Sequence, residues 1–355
     1  MPAPVSISEK RRMAVVANGK TPAAFQRTLL RWYDAHRRDL PWRKTRDPYR
    51  IWLSEIMLQQ TRVAAVLEHY RIFLERFPSI KALASASEAD VLAAWSGLGY
   101  YRRARMMHQC ALQIVEQYKG SFPQNSESLR ALPGIGRYTA AAIASIAFGE
   151  PLAVVDGNVE RVLQRLIGDT LMTWQVWEHA QACLDRSRPG DFNQAMMELG
   201  ATVCVPREPR CLACPVRKWC ATRGVEVRRA RPAAPQQKKE VWCALDWREG
   251  NGSGNNEVRV VQRPRRAALM AGMWELPQSF APPRRLPTAA PWRKFRHSIT
   301  VTSYTVHVLR NQQIRDLSVP GNRLAAKGKW IGLDRIQQLP ITGLTRKILK
   351  ASGMI

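Results

Sequence analysis

LPGIGRYTAAAI, from Leu132 to Ile143, sets two glycines, Gly134 and Gly136, in a tight turn directly before a helix whose small residues Thr139, Ala140, Ala141, Ala142 and Ala144 allow close packing. Backbone N–H groups at such a helix start, backed by the positive end of the helix, can face a phosphate oxygen. The same turn also serves as a plain connection between two helices. It is too short for a Walker loop, lacks the Lys-Ser/Thr ending, and follows a helical run and not a strand, so nucleotide binding is disfavoured. Net charge favours the phosphate reading: 55 Lys and Arg against 28 Asp and Glu leave +27, a balance that points to a polyanionic partner such as nucleic acid.

Outward from this turn, apolar residues recur at helical spacing from Ala24 to about Gly224, as in Val63, Val66, Leu67, Tyr70, Leu74 and again in Val159, Val162, Leu163, Leu166. Gly and Pro punctuate the runs at Phe77-Pro78, Gly97-Leu98-Gly99 and Gly120 to Pro123, giving nine or ten helices. The basic, Pro- and Ala-rich stretch RRARPAAPQQKKE, Arg228 to Glu240, has no apolar period and reads as a linker. Beyond it, Val241 to Trp247, Val258 to Gln262 and Thr300 to Leu309 are short β-branched and aromatic runs separated by turn-formers such as GNGSGNN. The organisation expected is a tail over 1–23, a mainly α domain over 24–227, a linker over 228–239 and an α+β domain over 240–355. With 45% apolar residues the chain can bury sizeable cores, which excludes disorder throughout. No run approaches the length of a membrane span and the start lacks the apolar middle of an export signal, so a cytoplasmic protein is expected.

Four of the seven cysteines, Cys204, Cys211, Cys214 and Cys220, follow the spacing C-x6-C-x2-C-x5-C, enough thiolates to ligate a metal centre. A structural zinc site usually pairs two short loops, and here there is one, which favours an iron–sulfur cluster. Arg207, Arg210, Arg217 and Lys218 rim this loop, suggesting that it meets phosphates and does not pass electrons. Cys110, Cys183 and Cys243 read as small buried residues.

Two carboxylates stand out. Glu55 in IWLSEIMLQQ has Ile51, Trp52 and Leu58 as helical neighbours, so its carboxyl projects from an apolar face, where burial should raise its pKa toward that of a general acid; the alternative is a rim position paired with Arg62. Asp156 closes the apolar run Leu152 to Val155 and precedes an amphipathic helix, a position that suits a helix cap as well as a catalytic group.

LPGIGRYTA, the cysteine cluster and VVDGNV together resemble the helix-hairpin-helix DNA glycosylases, and RRDLPWR, SEIMLQQTRV, GLGYYRRAR, VVDGNVERVL and FNQAMMELGA resemble the MutY branch, the adenine DNA glycosylases. The resemblance implies two helical modules with a pocket between them, one holding the hairpin and the other a 4Fe–4S cluster on the four cysteines. It implies removal of adenine mispaired with 8-oxoguanine, and with guanine, from double-stranded DNA by a monomer. In that reading Glu55 protonates the extruded adenine, Asp156 supports the sugar cation, and Asn158 orients Asp156 or a water. Tyr138 stands where lyase relatives carry a Schiff-base lysine, so no strand cleavage is expected. Arg38, Trp42 and Gln194 fall on adenine-pocket positions, and Gln60 and Thr61 on contacts to the orphaned base. Tyr100 falls on the residue that fills the stack, beside Leu98, with Arg102, Arg103 and Arg105 near phosphates, and Gly134 and Gly136 on the hairpin's backbone contact. ALMAGMWELPQ, Ala268 to Gln278, resembles a Nudix-fold segment without the hydrolase glutamates, implying a module that reads 8-oxoguanine; its contact loop aligns with Ile299, Thr300 and Val301, keeping a hydroxyl at Thr300 and losing a histidine at Val301. An endonuclease III-like glycosylase/lyase and a non-catalytic iron–sulfur DNA-binding protein are the alternatives.

Overall fold

The computed structural model describes residues 23–224, 237–249, 256–280, 290–299, 301–311, 313 and 328–355. Eleven α-helices occur among the described residues up to Thr202: α1 (Ala23–His36), α2 (Pro48–Leu58), α3 (Val63–Arg76), α4 (Ile80–Ser85), α5 (Glu88–Ala94), α6 (Arg102–Tyr118), α7 (Ser126–Arg130), α8 (Arg137–Ala147), α9 (Gly157–Ile167), α10 (Thr173–Cys183) and α11 (Pro189–Thr202). Glycine and proline punctuation undercounts them because it runs α4 and α5 together: α5 begins on a serine. Ser79 and Ser87 cap the two helices by accepting from the Ala82 and Asp90 N–H groups; Pro78 marks the start of α4, but the break at Ser85–Ser87 before α5 carries neither Gly nor Pro.

By contacts the chain forms two compact units, Met1–Tyr70 with Cys110–Arg231, and Arg71–Gln109 with Pro232–Ile355. In the first, Phe25, Leu29 and Tyr33 of α1 share a core with Val159, Val162, Leu163 and Leu166 of α9, Val176 and Ala180 of α10, and Phe192, Ala195, Met196 and Leu199 of α11. These are the apolar faces that the 3.6-residue spacing picks out. Two helical glycines let α11 approach other backbone directly. A Cβ on Gly190 would lie 2.7 Å from the Ile146 Cα, and one on Gly200 would lie 2.6 Å from the Asn158 Cβ.

The second unit carries the strands β1 (Gln237–Leu245), β2 (Trp247–Arg248), β3 (Glu257–Gln262), β4 (Trp274–Glu275), β5 (Gln278–Ser279), β6 (Arg293–Ile299), β7 (Thr302–Arg310) and β8 (Lys329–Gly332), and the helices α12 (Leu333–Ile336) and α13 (Gly343–Ala351). One sheet has the order β5-β1-β7-β6, with β1 and β7 parallel in the register Gln237↔Thr302 to Leu245↔Arg310; in the other, β3 pairs β2, β4 and β8. Alternate residues Val241, Cys243 and Leu245 meet Val306, Val308, Ile348 and Leu349 in a second core. β1 starts at Gln237, inside the stretch that composition reads as linker. Its first four residues are exposed, so no apolar alternation announces them, and pairing to β7 defines them. Among the described residues no helix is long and apolar enough to cross a membrane.

Candidate active site

Asp47 accepts from the Tyr49 N–H and starts α2 with Pro48 in its first turn, and the helix then buries every residue from Ile51 to Met57. Glu55 is therefore carried into apolar surroundings and is 7% exposed. Its Oε2 accepts a 2.7 Å hydrogen bond from the Tyr138 hydroxyl, so its partner is a phenol and not Arg62. Burial pushes the Glu55 carboxyl up to about 7; the Tyr138 bond opposes this, the Asp156 charge adds to it, and Arg43 opposes it. Tyr138 titrates well above its ordinary value through burial and the nearby Glu55 and Asp156 carboxylates, and its hydroxyl also lies 3.5 Å from the Met197 Sδ.

Tyr138 sits in the first turn of α8. The chain arrives from α7, capped by Asn125, through Gly134 at φ 75°, a left-handed position that glycine adopts without strain, and Gly136 caps α8. The sequence's turn is thus a hairpin between two helices, with the N–H end of α8 beside Tyr138.

Asp156 caps α9. One carboxylate oxygen accepts from the backbone N–H groups of Asn158 and Val159 at 2.9 and 2.8 Å, and the other accepts from the Asn158 side chain at 2.8 Å. The cap also fixes a carboxylate whose charge reaches Glu55. The segment leading to it is clamped by Asn193, which accepts from the Val154 N–H and donates to the Leu152 carbonyl and the Ser145 hydroxyl. Asn158 Oδ1 in turn accepts from Arg161 at 2.9 Å, and Arg161 also donates to the carbonyls of Gly200 and Cys204 at 2.7 and 2.8 Å.

Arg38 is engaged by Glu198, donating through Nε and a terminal nitrogen at 2.8 and 2.6 Å, and Arg43 donates to the same carboxylate at 2.7 Å. Burial alone would raise the Glu198 pKa, but the hydrogen bonds from Arg38 and Arg43 overcome it and hold the group at about 2. This triad, built on the buried Glu198, fixes RRDLPWR against α11 and keeps Arg43 near Glu55. Sequence reasoning missed Glu198, Arg43 and Arg161; the available signals were a carboxylate inside the apolar run AMMELGA and an arginine one helical turn beyond Asn158.

Trp42 is buried edge-on to the Tyr70 ring, with centroids 5.3 Å apart. Gln194 is half-buried on α11. Gln60, exposed at φ 56°, and Thr61 form the turn that ends α2. In the second unit, Leu98 is buried while Tyr100 is 47% exposed in a left-handed conformation at φ 48°. Val301 is 63% exposed beside the paired ends Ile299 and Thr302, and Thr300 lies outside the described residues.

Cys204, Cys211, Cys214 and Cys220 are all unpaired thiols lining one cavity with Arg165, Leu166, Leu199 and Val216. Among the described residues no three His, Cys, Asp or Glu side chains converge closely enough to hold a single metal ion. The loop is built onto α9. Arg165 donates to the Val205 and Pro206 carbonyls, the Ala221 N–H donates to the Leu166 carbonyl, and Val216 and Trp219 reach the first core. Arg207, Arg210, Arg217 and Lys218 are exposed around it, and Cys110, Cys183 and Cys243 are buried, as their isolation in the sequence suggests.

A family model described as "HhH-GPD superfamily base excision DNA repair protein" matches residues 53–171. Adenine DNA glycosylase of Homo sapiens is 35% identical, over 92% of this chain and 73% of its own length. Adenine DNA glycosylase of Rattus norvegicus is 33% identical, over 92% of this chain and 77% of its own. Among solved structures, a thermostable thymine-DNA glycosylase superposes with a TM-score of 0.53 at 30% identity, covering 60% of this chain and 96% of that one. A buried acid, a hairpin, a capped aspartate and a cysteine-lined loop follow one another along the sequence, and by its likeness to these relatives the chain belongs to the adenine DNA glycosylase family of HhH-GPD base excision repair proteins.

Proposed function

We propose that the protein removes adenine mispaired with 8-oxoguanine or guanine from duplex DNA, hydrolysing the N-glycosidic bond without cutting the strand. The observation that carries this is Glu55, a buried acid with a pKa of about 7 held by the Tyr138 hydroxyl. At neutral pH it retains a proton to give to a ring nitrogen of the departing base. As the C–N bond breaks, the electron pair leaves with the protonated adenine. Positive charge then grows on the sugar, where Asp156, fixed by three N–H donors, is the carboxylate placed to balance it. Water adds to the sugar carbon and its proton returns to Glu55. Tyr138 offers no amine for an imine, which supports base release without a lyase step.

The four cysteines are the thiolates that would hold a 4Fe–4S cluster. In such a cluster each thiolate binds its own iron, which suits thiols that line the walls of a cavity without converging on a point. Such a group would supply a rigid anchor for the basic loop 204–224. The division at residues 228–239, a Nudix-like C-terminal domain, a monomeric state and a cytoplasmic location complete the reading, with Thr300 as the hydroxyl offered to the 8-oxoguanine strand.

The test is cleavage of duplexes carrying each mispair in turn, read before and after alkali. Product from adenine opposite 8-oxoguanine that appears only after alkali, and is lost in Glu55→Gln with duplex binding kept within a few-fold, is expected. Strand breaks before alkali, or turnover by Glu55→Gln, would overturn the reading.

A further inference from the structure

The turn Gly97-Leu98-Gly99-Tyr100 has three left-handed residues, Gly97 at φ 111°, Gly99 at 70° and Tyr100 at 48°. For tyrosine this conformation is unfavourable, by about 1 kcal/mol, and it persists only where the surroundings over-determine it. Within the turn, the Trp95 indole N–H donates to the Gly99 carbonyl at 3.1 Å, and Arg103 donates to the Leu98 and Gly99 carbonyls at 3.3 Å, its guanidinium lying 5.4 Å from the Tyr100 ring.

Both flanks of the turn end on one atom of the C-terminal part. The Ser96 hydroxyl donates to the Ile341 carbonyl at 2.9 Å, and the Tyr101 hydroxyl donates to the same oxygen at 3.3 Å. Ser96, Tyr101 and Ile341 are all buried. The acceptor is itself held rigidly. Trp274 brackets it, donating to the Pro340 carbonyl at 2.8 Å and accepting from the Thr342 N–H at 2.9 Å, and Thr342 caps α13. From the first turn of α13, Arg346 donates back to the Ser96 hydroxyl at 3.1 Å. Arg105 adds a contact to the Ala271 carbonyl.

We propose that the Ile341 carbonyl is a clamp that holds the 97–100 turn in the shape that presents Tyr100, making Ser96 and Tyr101 positioning residues for base extrusion. This rests on the proposed reading, in which Tyr100 enters the stack. It gives the C-terminal part a role that does not depend on which base lies opposite the adenine. Reading 8-oxoguanine would favour one mispair; presenting Tyr100 would serve both alike.

The test uses the full-length protein carrying Glu55→Gln and duplexes with 2-aminopurine in place of the target adenine, whose fluorescence rises on unstacking. Ser96→Ala and Tyr101→Phe each remove one hydroxyl and keep the packing. Each is expected to lower the extruded fraction by about five-fold, as the loss of one neutral hydrogen bond implies. With Glu55 intact, each should slow single-turnover excision opposite 8-oxoguanine and opposite guanine by the same factor. Unchanged extrusion in folded variants would overturn the clamp, and so would a loss confined to the 8-oxoguanine duplex. If the parent protein neither unstacks 2-aminopurine nor releases adenine, the glycosylase reading itself fails and the clamp with it. Tyr101→Phe carries the test alone should Ser96→Ala not fold.

Discussion

Tyr138→Phe isolates the one hydrogen bond that works against burial at Glu55. The phenol donates to the carboxylate at 2.7 Å and so stabilises its ionised form. A hydrogen bond to a charged group contributes about 1.5–3 kcal/mol. At about 1.4 kcal/mol per pH unit, its removal should carry Glu55 from about 7 to roughly 8–9. Below pH 7 both proteins hold the proton and should share a plateau, lower in the variant if the phenol also touches the base. Above pH 7 the parent loses its acid while the variant keeps it, so the alkaline limb of single-turnover excision should move up by one to two pH units. Stability should follow the same sign. The fold raises the Glu55 pKa above its ordinary 4.5, so it favours the protonated form, and stability is greatest below that ordinary value and falls as pH rises through the folded one. In the variant this fall should extend to higher pH and deepen by about 1.5–3 kcal/mol, measurable by urea unfolding at pH 6 and pH 9. An alkaline limb that stays in place would refute the reasoning, as would a parent profile with no limb near pH 7.

Asp156→Asn keeps a good capping residue and removes the charge, so it should unfold within about 0.5 kcal/mol of the parent while losing nearly all excision; Asp156→Ala should cost about 1 kcal/mol more in unfolding. Equal destabilisation by the two would mean that charge, and not capping, holds the start of α9. Freshly purified protein should be brown and carry roughly four irons per chain by metal analysis, a content that stoichiometric zinc would contradict. Borohydride added during turnover should trap almost no protein–DNA adduct on denaturing gels, and strong trapping would point to an amine acting as nucleophile.

Much of the site was legible because its chemistry is local. Glu55 shows itself by apolar neighbours one turn away, and Asp156 by its place before an amphipathic helix. The bonds that give those residues their character are not local. Tyr138 is 83 positions from Glu55, and Glu198 is 160 from Arg38, so sequence could offer Tyr138 only as a residue unable to form an imine, and Glu198 only as a carboxylate in an apolar run, without its arginine partners. Cap and catalyst look like rival readings of Asp156 because a letter has no geometry; the structure shows the cap, with the capped carboxylate close enough to Glu55 for its charge to act there. The strand and helix grammar succeeded where one face is buried. It failed at Gln237–Glu240, exposed and defined by β7, and at the break between α4 and α5, where the Ser87 cap resembles an ordinary loop residue.

The close approach of α11 to its neighbours bears on how this protein could be improved or impaired. Replacing a glycine inside a helix by alanine commonly gains up to about 1 kcal/mol, so a search for greater heat tolerance by helix propensity would select Gly190 and Gly200 first. Both are closed to it. Alanine at Gly190 would press on the Ile146 backbone, and alanine at Gly200 would press on Asn158, turning its amide from the Asp156 carboxylate. In a mutational scan these two positions should tolerate almost nothing, although neither carries a side chain for chemistry. Gly343, where a Cβ would meet nothing within 4 Å, is the safer place to begin.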